Sequence, residues 1–222
     1  MTHSVVVKES SESTPENPQK CSKCLKPLKW CICEELVPLD NQIYVLILQH
    51  PQEPDKDLGS ARLAHLSLNH SSLKIGLSWR NLAAALGKPA QPSRWGVLYL
   101  GSGVKGGIPP TLKDVPLVFV DRNGKPVASP LPLEGLVVLD GTWTQAKALW
   151  WRNPWLLKLK RTILVPSKQS LYRELRKEPR KECLSTMESV AEALTGLGEP
   201  KEVGEALHTR FSNFLTKYRK NR

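Results

Sequence analysis

The sequence lacks a long apolar run and a recognisable targeting signal. No stretch of its 222 residues approaches the roughly twenty apolar residues that span a bilayer, so we expect a soluble chain without membrane contact. Residues 1–20 contain Ser, Glu, Pro and Lys but no apolar segment, which argues against a signal peptide. We therefore predict a disordered leader over residues 1–18 and a cytoplasmic location.

Acidic residues are also few. The chain has 21 Asp and Glu against 32 Lys and Arg, a formal net charge of +11. This excess favours a polyanionic partner over a merely soluble basic surface. Several aromatic residues lie among the cations, and cations beside stacking rings suit RNA, although we expect some of these rings in the core. The aromatic residues are Trp150, Trp151, Trp155 and Tyr172; the cations are Lys147, Arg152, Lys158, Lys160, Arg161, Lys168, Arg173, Arg176, Lys177, Arg180, Lys181, Lys217, Arg219, Lys220 and Arg222.

Most of the cysteines lie in one short segment, as Cys21, Cys24, Cys31 and Cys33. Thiolates this close can surround one tetrahedral zinc ion, and the lysines among them would offset the charge of such a centre. Two disulfides are the alternative, but nothing indicates an oxidising compartment. We therefore predict a structural zinc knuckle over residues 19–36. The lysines are Lys20, Lys23, Lys26 and Lys29.

Strand and helix patterns alternate along the rest of the chain, without an internal repeat. Residues 43–48 form a continuous apolar run, typical of a strand buried on both faces. The alternation predicts an α/β domain over residues 40–222, with a mostly parallel sheet flanked by helices. We expect strands at 43–48, 73–77, 95–100, 117–120, 136–139 and 162–165, and helices at 60–69, 80–86, from 143, 185–197 and 202–218.

Asp140 is the most informative single residue. It follows the apolar run 135–139 and precedes a segment of helical spacing that begins at Trp143. An open α/β sheet usually holds its ligand at the carboxyl ends of its strands, which makes Asp140 a candidate general base. The alternative is a structural role in a turn or as a helix N-cap. Trp143 is a candidate for stacking on a base, or else a core residue.

His50 and Glu53 follow the first apolar run, so we expect them at the same edge of the sheet as Asp140. They are candidates to orient a substrate or to share in proton transfer, and a satisfied structural histidine is the alternative. Arg62 and Arg173 carry guanidinium groups, which suit carboxylates and phosphates. For Arg173, in a charge-rich stretch, the alternative is a solvated surface position.

Ser185 and Glu188 have the spacing of a capping box before an apolar run. They predict the first turn of a helix. A helix N-terminus also presents free N–H groups to an anion or a cofactor, so capping and cofactor contact are compatible at this point.

A glycine-rich stretch, Gly101, Gly103 and Gly106, matches a dinucleotide-binding fingerprint after a predicted strand. Pro109 and Pro110 follow almost directly, and too few residues remain for a crossover helix. We therefore reject a dinucleotide site. Glycines let a backbone approach a ligand closely, so the stretch remains a candidate lining of an adenosyl pocket.

Six short motifs occur together and in order: the four cysteines and residues 49–53, 59–62, 140–143, 170–173 and 184–188. The set resembles the DTW-domain family over residues 21–197. The resemblance implies a domain related to the SPOUT methyltransferases, with a C-terminal knot that holds S-adenosylmethionine. It also implies transfer of the 3-amino-3-carboxypropyl group of S-adenosylmethionine to N3 of a uridine in tRNA, with release of methylthioadenosine.

The resemblance further implies a role for each candidate residue. Asp140, His50 and Glu53 would be catalytic. The substrate would bind to Arg62, Ser170, Tyr172 and Arg173. S-adenosylmethionine would bind to Leu100, Gly101, Gly141, Thr142, Trp143, Leu184, Ser185, Thr186 and Glu188.

The sequence is also compatible with two other functions. A SPOUT-type RNA methyltransferase would use the same cofactor, and a zinc-containing RNA-binding protein would need no catalytic residue. Because related knotted enzymes are often dimers, a homodimer is compatible with the resemblance.

Overall fold

The structure is a computed structural model that describes residues 19–99, 115–128, 132–165, 170–172 and 184–221. Several predictions fall elsewhere in the chain. The leader, the glycine-rich stretch with Leu100 and Gly101, and Arg173 lie outside the described residues.

The described residues contain six strands: β1 (Tyr44–Gln49), β2 (Ser71–Ile75), β3 (Trp95–Leu98), β4 (Leu117–Val120), β5 (Gly135–Asp140) and β6 (Lys160–Leu164). They form one sheet in the order β2-β1-β5-β3-β6-β4. All neighbouring strands are parallel except β4, which pairs antiparallel with β6 at one edge. The predicted α/β class with a mostly parallel sheet is confirmed.

Helices cover both faces of the sheet. The hydrophobic core on one face contains the inward residues of α1, α4 and α5, and the core on the other face contains those of α2 and α3. None of the helices in the described part of the chain is long and apolar enough to cross a membrane. The helices are α1 (Ala61–Leu66), α2 (Leu82–Leu86), α3 (Trp143–Arg152), α4 (Thr186–Gly196) and α5 (Lys201–Lys220).

Strand β1 is apolar from Val45 to Leu48 because both of its faces are buried. Val45 and Ile47 pack in the core that contains α4 and α5, whereas Leu46 and Leu48 pack in the core of α2 and α3. Successive side chains of a strand point to opposite faces. The continuous apolar run in the sequence therefore follows from the position of β1 between two helical layers.

Helix α1 is shorter than the sequence pattern predicts. It ends at Leu66, because the next residues pair with another part of the chain. Ser67 accepts the backbone N–H of Leu39 through its carbonyl at 2.9 Å, and the N–H of Asn69 donates to the carbonyl of Leu39 at 2.9 Å. These long-range hydrogen bonds replace the last helical turn.

The cysteine segment packs directly on α5. The ring of Trp30 meets that of Tyr218 edge-on, with 4.6 Å between centroids. Trp30 Nε1 donates to the carbonyl of Asn221 at 3.3 Å, and Lys217 Nζ donates to the carbonyl of Cys31 at 3.1 Å. Trp30 and Ile32 are buried in the same core as α4 and α5. The segment thus shares the core of the α/β domain.

A close contact between β3 and β5 predicts an effect on stability. Gly135 pairs with Trp95, and a Cβ atom at Gly135 would lie 2.5 Å from two ring carbons of Trp95. We expect Gly135→Ala to lower the free energy of unfolding by about 1–3 kcal/mol, because overpacking forces the ring or the backbone to move. Urea unfolding followed by circular dichroism measures the change.

A double-mutant cycle with Trp95→Phe controls for other effects of the substitution. The smaller Phe ring removes the clashing carbons, so Gly135→Ala should cost less in that background. An equal cost in both backgrounds would mean that the contact with Trp95 is not the cause.

Candidate active site

The candidate site lies where β1 and β5 end side by side. Gln49 and Asp140 are register partners at the last position of the two strands. From β1 the chain continues to the edge strand β2, whereas β3 lies on the far side of β5. Such a reversal of strand order leaves a crevice beyond the carboxyl ends of the strands.

The carboxylate of Asp140 is buried, with a relative exposure of 7%. Gln49 Nε2 donates to Asp140 Oδ2 at 2.9 Å, and the hydroxyl of Thr186 donates to Asp140 Oδ1. An ionised carboxylate offers about four lone-pair positions. Each oxygen therefore keeps a position for one more donor.

Asp140 does not cap the helix that follows it. The N-cap of α3 is Thr142, whose backbone N–H donates to Gln145 Oε1 at 2.6 Å while its hydroxyl accepts the Gln145 N–H at 3.4 Å. Gly141 makes the connecting turn with φ of 154°, and a Cβ there would lie 2.9 Å from the Cβ of Gln145. The N-cap role considered for Asp140 is therefore excluded.

Seven buried side-chain N and O atoms have no hydrogen-bond partner among the described residues, and three of them lie in the segment from the end of β1 to the start of α1. These three are Gln49 Oε1, Glu53 Oε1 and Arg62 Nε. All three belong to the end of β1, the loop after it or the first turn of α1. An unpaired buried polar atom costs free energy, and a bound ligand that supplies complementary groups would remove this cost.

The other residues predicted near Asp140 are more exposed. His50 directly follows β1 and is partly exposed, and its Nδ1 accepts the backbone N–H of Gln52 at 3.3 Å. Trp143 opens α3 and is also partly exposed. The first turn of α3 contacts the loop after β1 where Gln145 Nε2 donates to Gln52 Oε1 at 3.2 Å.

The predicted capping box of α4 is confirmed. Ser185 is the N-cap: its hydroxyl accepts the Glu188 N–H at 3.1 Å, and its own N–H donates to Glu188 Oε2 at 2.8 Å. Glu188 also accepts the Ser170 hydroxyl at 2.8 Å and the N–H of Leu171 at 2.7 Å. The buried Glu188 carboxylate thus joins α4 to the loop that contains Ser170.

Tyr172 lies in the core. It is buried, its hydroxyl donates to the carbonyl of Leu58, and its ring meets that of Phe211 edge-on with 5.1 Å between centroids. Trp155 is buried as well. Two of the four aromatic residues that the sequence places among the cations are therefore core residues. The contacts of Ser170 and Tyr172 hold their loop against the domain.

The four cysteines predicted as metal ligands come together. Their Sγ atoms all lie within 4.8 Å of one another, and none of them forms a disulfide. Burial raises the pKa of Cys24 to about 11, and it also raises the pKa of Cys33. Burial acts to raise the pKa of Cys21 as well, but backbone hydrogen bonds from Cys24 and Lys23, together with side-chain hydrogen bonds to Cys31 and Cys24, lower this pKa to about 7. The donor set and its spacing fit a metal ion that prefers thiolates.

Lys26 is a residue of the site that sequence reasoning missed. It is buried, and its ammonium donates to the carbonyl of Lys56 in the loop between β1 and α1. Burial lowers the pKa of Lys26 to about 8, against the opposing effects of Cys24, Asp57 and Asp140. Its own carbonyl accepts the Cys21 N–H at 2.8 Å. One turn therefore serves both the cysteine cluster and the site.

The sequence pattern does not distinguish Lys26 from Lys20, Lys23 and Lys29. All four are lysines among cysteines, and burial of one of them depends on the contact with the loop after β1. Only the folded chain reveals that contact.

The fold and the site define a class of protein: a mainly parallel α/β domain with polar residues at the carboxyl ends of its central strands and a four-cysteine cluster against its last helix. Comparison with known families is more specific. The DTW domain matches residues 18–219, and the chain therefore belongs to the DTW-domain family.

Three curated relatives share the name tRNA-uridine aminocarboxypropyltransferase 2. The Drosophila melanogaster protein is 31% identical over 193 residues, covering 85% of this chain and 69% of that protein. The proteins of Macaca fascicularis and Mus musculus are each 28% identical over 187 residues. This chain spans 57% of the length of these two mammalian proteins. No solved structure matches the chain.

The contacts of Glu188 predict that its carboxylate stabilises the start of α4 and the loop at residues 170–172. In Glu188→Gln the amide nitrogen cannot accept a hydrogen bond, so at least one of the three donors loses its partner. We expect the free energy of unfolding to fall by roughly 2–3 kcal/mol, with faster hydrogen exchange in residues 170–172.

Glu192→Gln on the same helix is the matched control. Glu192 pairs with the partly exposed His208 at 3.1 Å, and such pairs contribute at most about 1 kcal/mol. Equal losses of stability in the two variants would contradict the special role of Glu188.

Proposed function

We propose that this chain transfers the 3-amino-3-carboxypropyl group of S-adenosylmethionine to N3 of a uridine in tRNA and releases methylthioadenosine. Its membership of the DTW-domain family supports the proposal, as does the name of its relatives. The observation that carries it is the set of unpaired atoms in the segment from Gln49, which contacts Asp140, to the first turn of α1: one donor, Arg62 Nε, and two acceptors, Gln49 Oε1 and Glu53 Oε1.

This set of atoms is complementary to the amino-acid end of S-adenosylmethionine. The Arg62 guanidinium suits a carboxylate, and the buried Lys26 ammonium adds positive charge beside it. Glu53 and Gln49 offer oxygens to an ammonium group. A ligand with both charges would satisfy atoms that otherwise remain buried and unpaired.

Asp140 is the proposed general base. Uridine N3 attacks carbon only when its lone pair is free, and Asp140 would take the N3 proton through its remaining lone pairs. N3 then forms a bond to Cγ of the aminocarboxypropyl group while the bond from Cγ to the sulfonium sulfur breaks. The bonding electrons stay on sulfur, so a neutral thioether leaves as methylthioadenosine. His50 would orient the uracil ring at the same edge.

The proposed cofactor site is formed by three parts of the chain. The start of α4 supplies Leu184, Ser185 and Thr186, and Glu188 would hold this turn in place. The turn after β5 supplies Gly141, Thr142 and Trp143. The third part is the glycine-rich stretch with Leu100 and Gly101. We also propose that the C-terminal part of the domain forms a SPOUT-like knot. Arg173 is the proposed RNA contact.

A transfer assay with two labels tests the reaction. The protein is incubated with unmodified tRNA and S-adenosylmethionine labelled either in the methyl group or in the carboxypropyl carbons. We expect only the second label in the RNA, and Asp140→Asn should reduce its transfer by roughly 10²–10⁴-fold while cofactor binding persists. Methyl label in the RNA would indicate a methyltransferase, and no label at all would favour an RNA-binding protein without activity.

Asp121→Asn is the matched control for Asp140→Asn. Asp121 also follows a strand, and its Oδ1 accepts the N–H groups of Asn123 and Lys125 at 2.8 and 2.9 Å. We expect this variant to transfer the label at the wild-type rate. Unchanged turnover in Asp140→Asn would refute the base role.

We also propose that residues 19–36 hold one structural zinc ion, with residues 40–222 as the catalytic domain. Metal analysis should find about one zinc per chain. Cys31→Ser should lower both zinc content and thermal stability, because the cysteine segment packs on α5. Cys183, the fifth cysteine, is far from the other four in the sequence, so Cys183→Ser is the control and should keep the metal. A zinc-free protein with oxidised thiols would refute the assignment.

A further inference from the structure

Helix α3 exposes a row of side chains that begins at the candidate site. Trp143 lies in the first turn, directly after Asp140, Gly141 and Thr142. Lys147 and Trp151 follow at steps of four residues, so they project from neighbouring turns on the same side of the helix. Each step advances about 6 Å along the helix axis. Lys147 is exposed, and Trp151 has a relative exposure of 78%.

The exposure of Trp151 sets it apart from the other tryptophans near it. Trp155 is buried, and Trp150 meets the ring of Tyr99 edge-on with 5.0 Å between centroids. The guanidinium of Arg161 lies 5.1 Å from the Tyr99 ring centroid and 5.8 Å from that of Trp150. The ring of Trp151 is therefore accessible to a base that could stack on it.

The charged residues in the sequence around this row are all cationic. Residues 141–165 contain no Asp or Glu. Within the described part of the chain, none of the cations in this stretch forms an ion pair with an acidic residue. Positive charge is therefore in excess along this stretch of the sequence. These cations are Lys147, Arg152, Lys158, Lys160 and Arg161.

The geometry points to a docking track for single-stranded RNA on α3, with Trp151 as a stacking platform and Lys147 as a phosphate contact. Its occupant is the tRNA segment that flanks the uridine held at Asp140, so the inference rests on the proposed function. Unpaired cations beside exposed rings are the combination that binds single strands. The helical step of about 6 Å is of the order of the phosphate spacing in an extended strand.

Two substitutions test the track in the whole 222-residue chain with its metal bound. The probes are an unmodified tRNA transcript and a short oligouridylate. We expect Trp151→Ala to weaken the binding of both by roughly 5- to 100-fold, the effect of losing one stacked base, and Trp151→Phe to restore most of it. Lys147→Ala should reduce the slope of log affinity against log salt by about 0.7–0.9.

Matched controls separate the track from general effects. Val37→Ala removes another exposed apolar side chain, at 73% exposure, and Lys125→Ala removes an exposed lysine near β4. Both should leave RNA affinity unchanged. The affinity of Trp151→Ala for S-adenosylmethionine should equal that of the wild type, and its KM for tRNA should rise while kcat stays the same.

The outcomes of these measurements distinguish RNA docking on α3 from self-association and from the proposed reaction. Unchanged RNA affinity in Trp151→Ala would overturn the inference, even if the wild type transfers the label to tRNA. Loss of self-association without loss of RNA affinity would also overturn it and would assign the face to a second copy of the chain. RNA binding that depends on Trp151 without any transfer of label would support the track and refute the proposed reaction.

Discussion

A carboxylate buried where two parallel strands end is the constraint on which the site depends. Removing an ionised carboxylate from water is costly unless hydrogen bonds hold it, and Asp140 receives two, from Gln49 and Thr186. The first donor requires β1 and β5 to be in register at their last residues. The second requires the first turn of α4 to lie over the end of β5. The sheet register and the placement of α4 are thus linked through one side chain.

The cysteine segment is connected to the same constraint through a second buried charge. Lys26 reaches the loop after β1 from the turn that also positions Cys21. A buried ammonium is stabilised by acceptors and by negative charge nearby, and Lys56 and Asp140 supply these. Without a fixed cysteine turn, the lysine would return to solvent and the loop with Glu53 would lose a contact. A metal ion in the cluster would therefore act on the site at a distance, by holding that turn.

Local patterns in the sequence predicted much of the fold and part of the site. The apolar runs of β1 and β5, the helix after Asp140 and the capping box of α4 all depend on residues close together in the chain. The burial of Tyr172 and Lys26, and the shorter α1, depend on partners far away in sequence. Secondary-structure propensity and hydrophobic periodicity do not reveal such distant contacts, because the same side chains on an exposed face would give the same sequence pattern.

The hydrogen-bond partners of each side chain distinguish structural residues from candidate ligand-binding residues, which the sequence motifs alone do not distinguish. The Glu188 carboxylate accepts three donors, whereas Glu53 Oε1, Gln49 Oε1 and Arg62 Nε have no partner among the described residues. Glu188 therefore maintains the structure, whereas in the proposed function the other three bind the ligand. In the proposed complex they hold the amino-acid end of S-adenosylmethionine close to Asp140. Cγ is only two bonds from the carbon that bears both charged groups, so this placement presents Cγ, rather than the methyl group, to a nucleophile at Asp140.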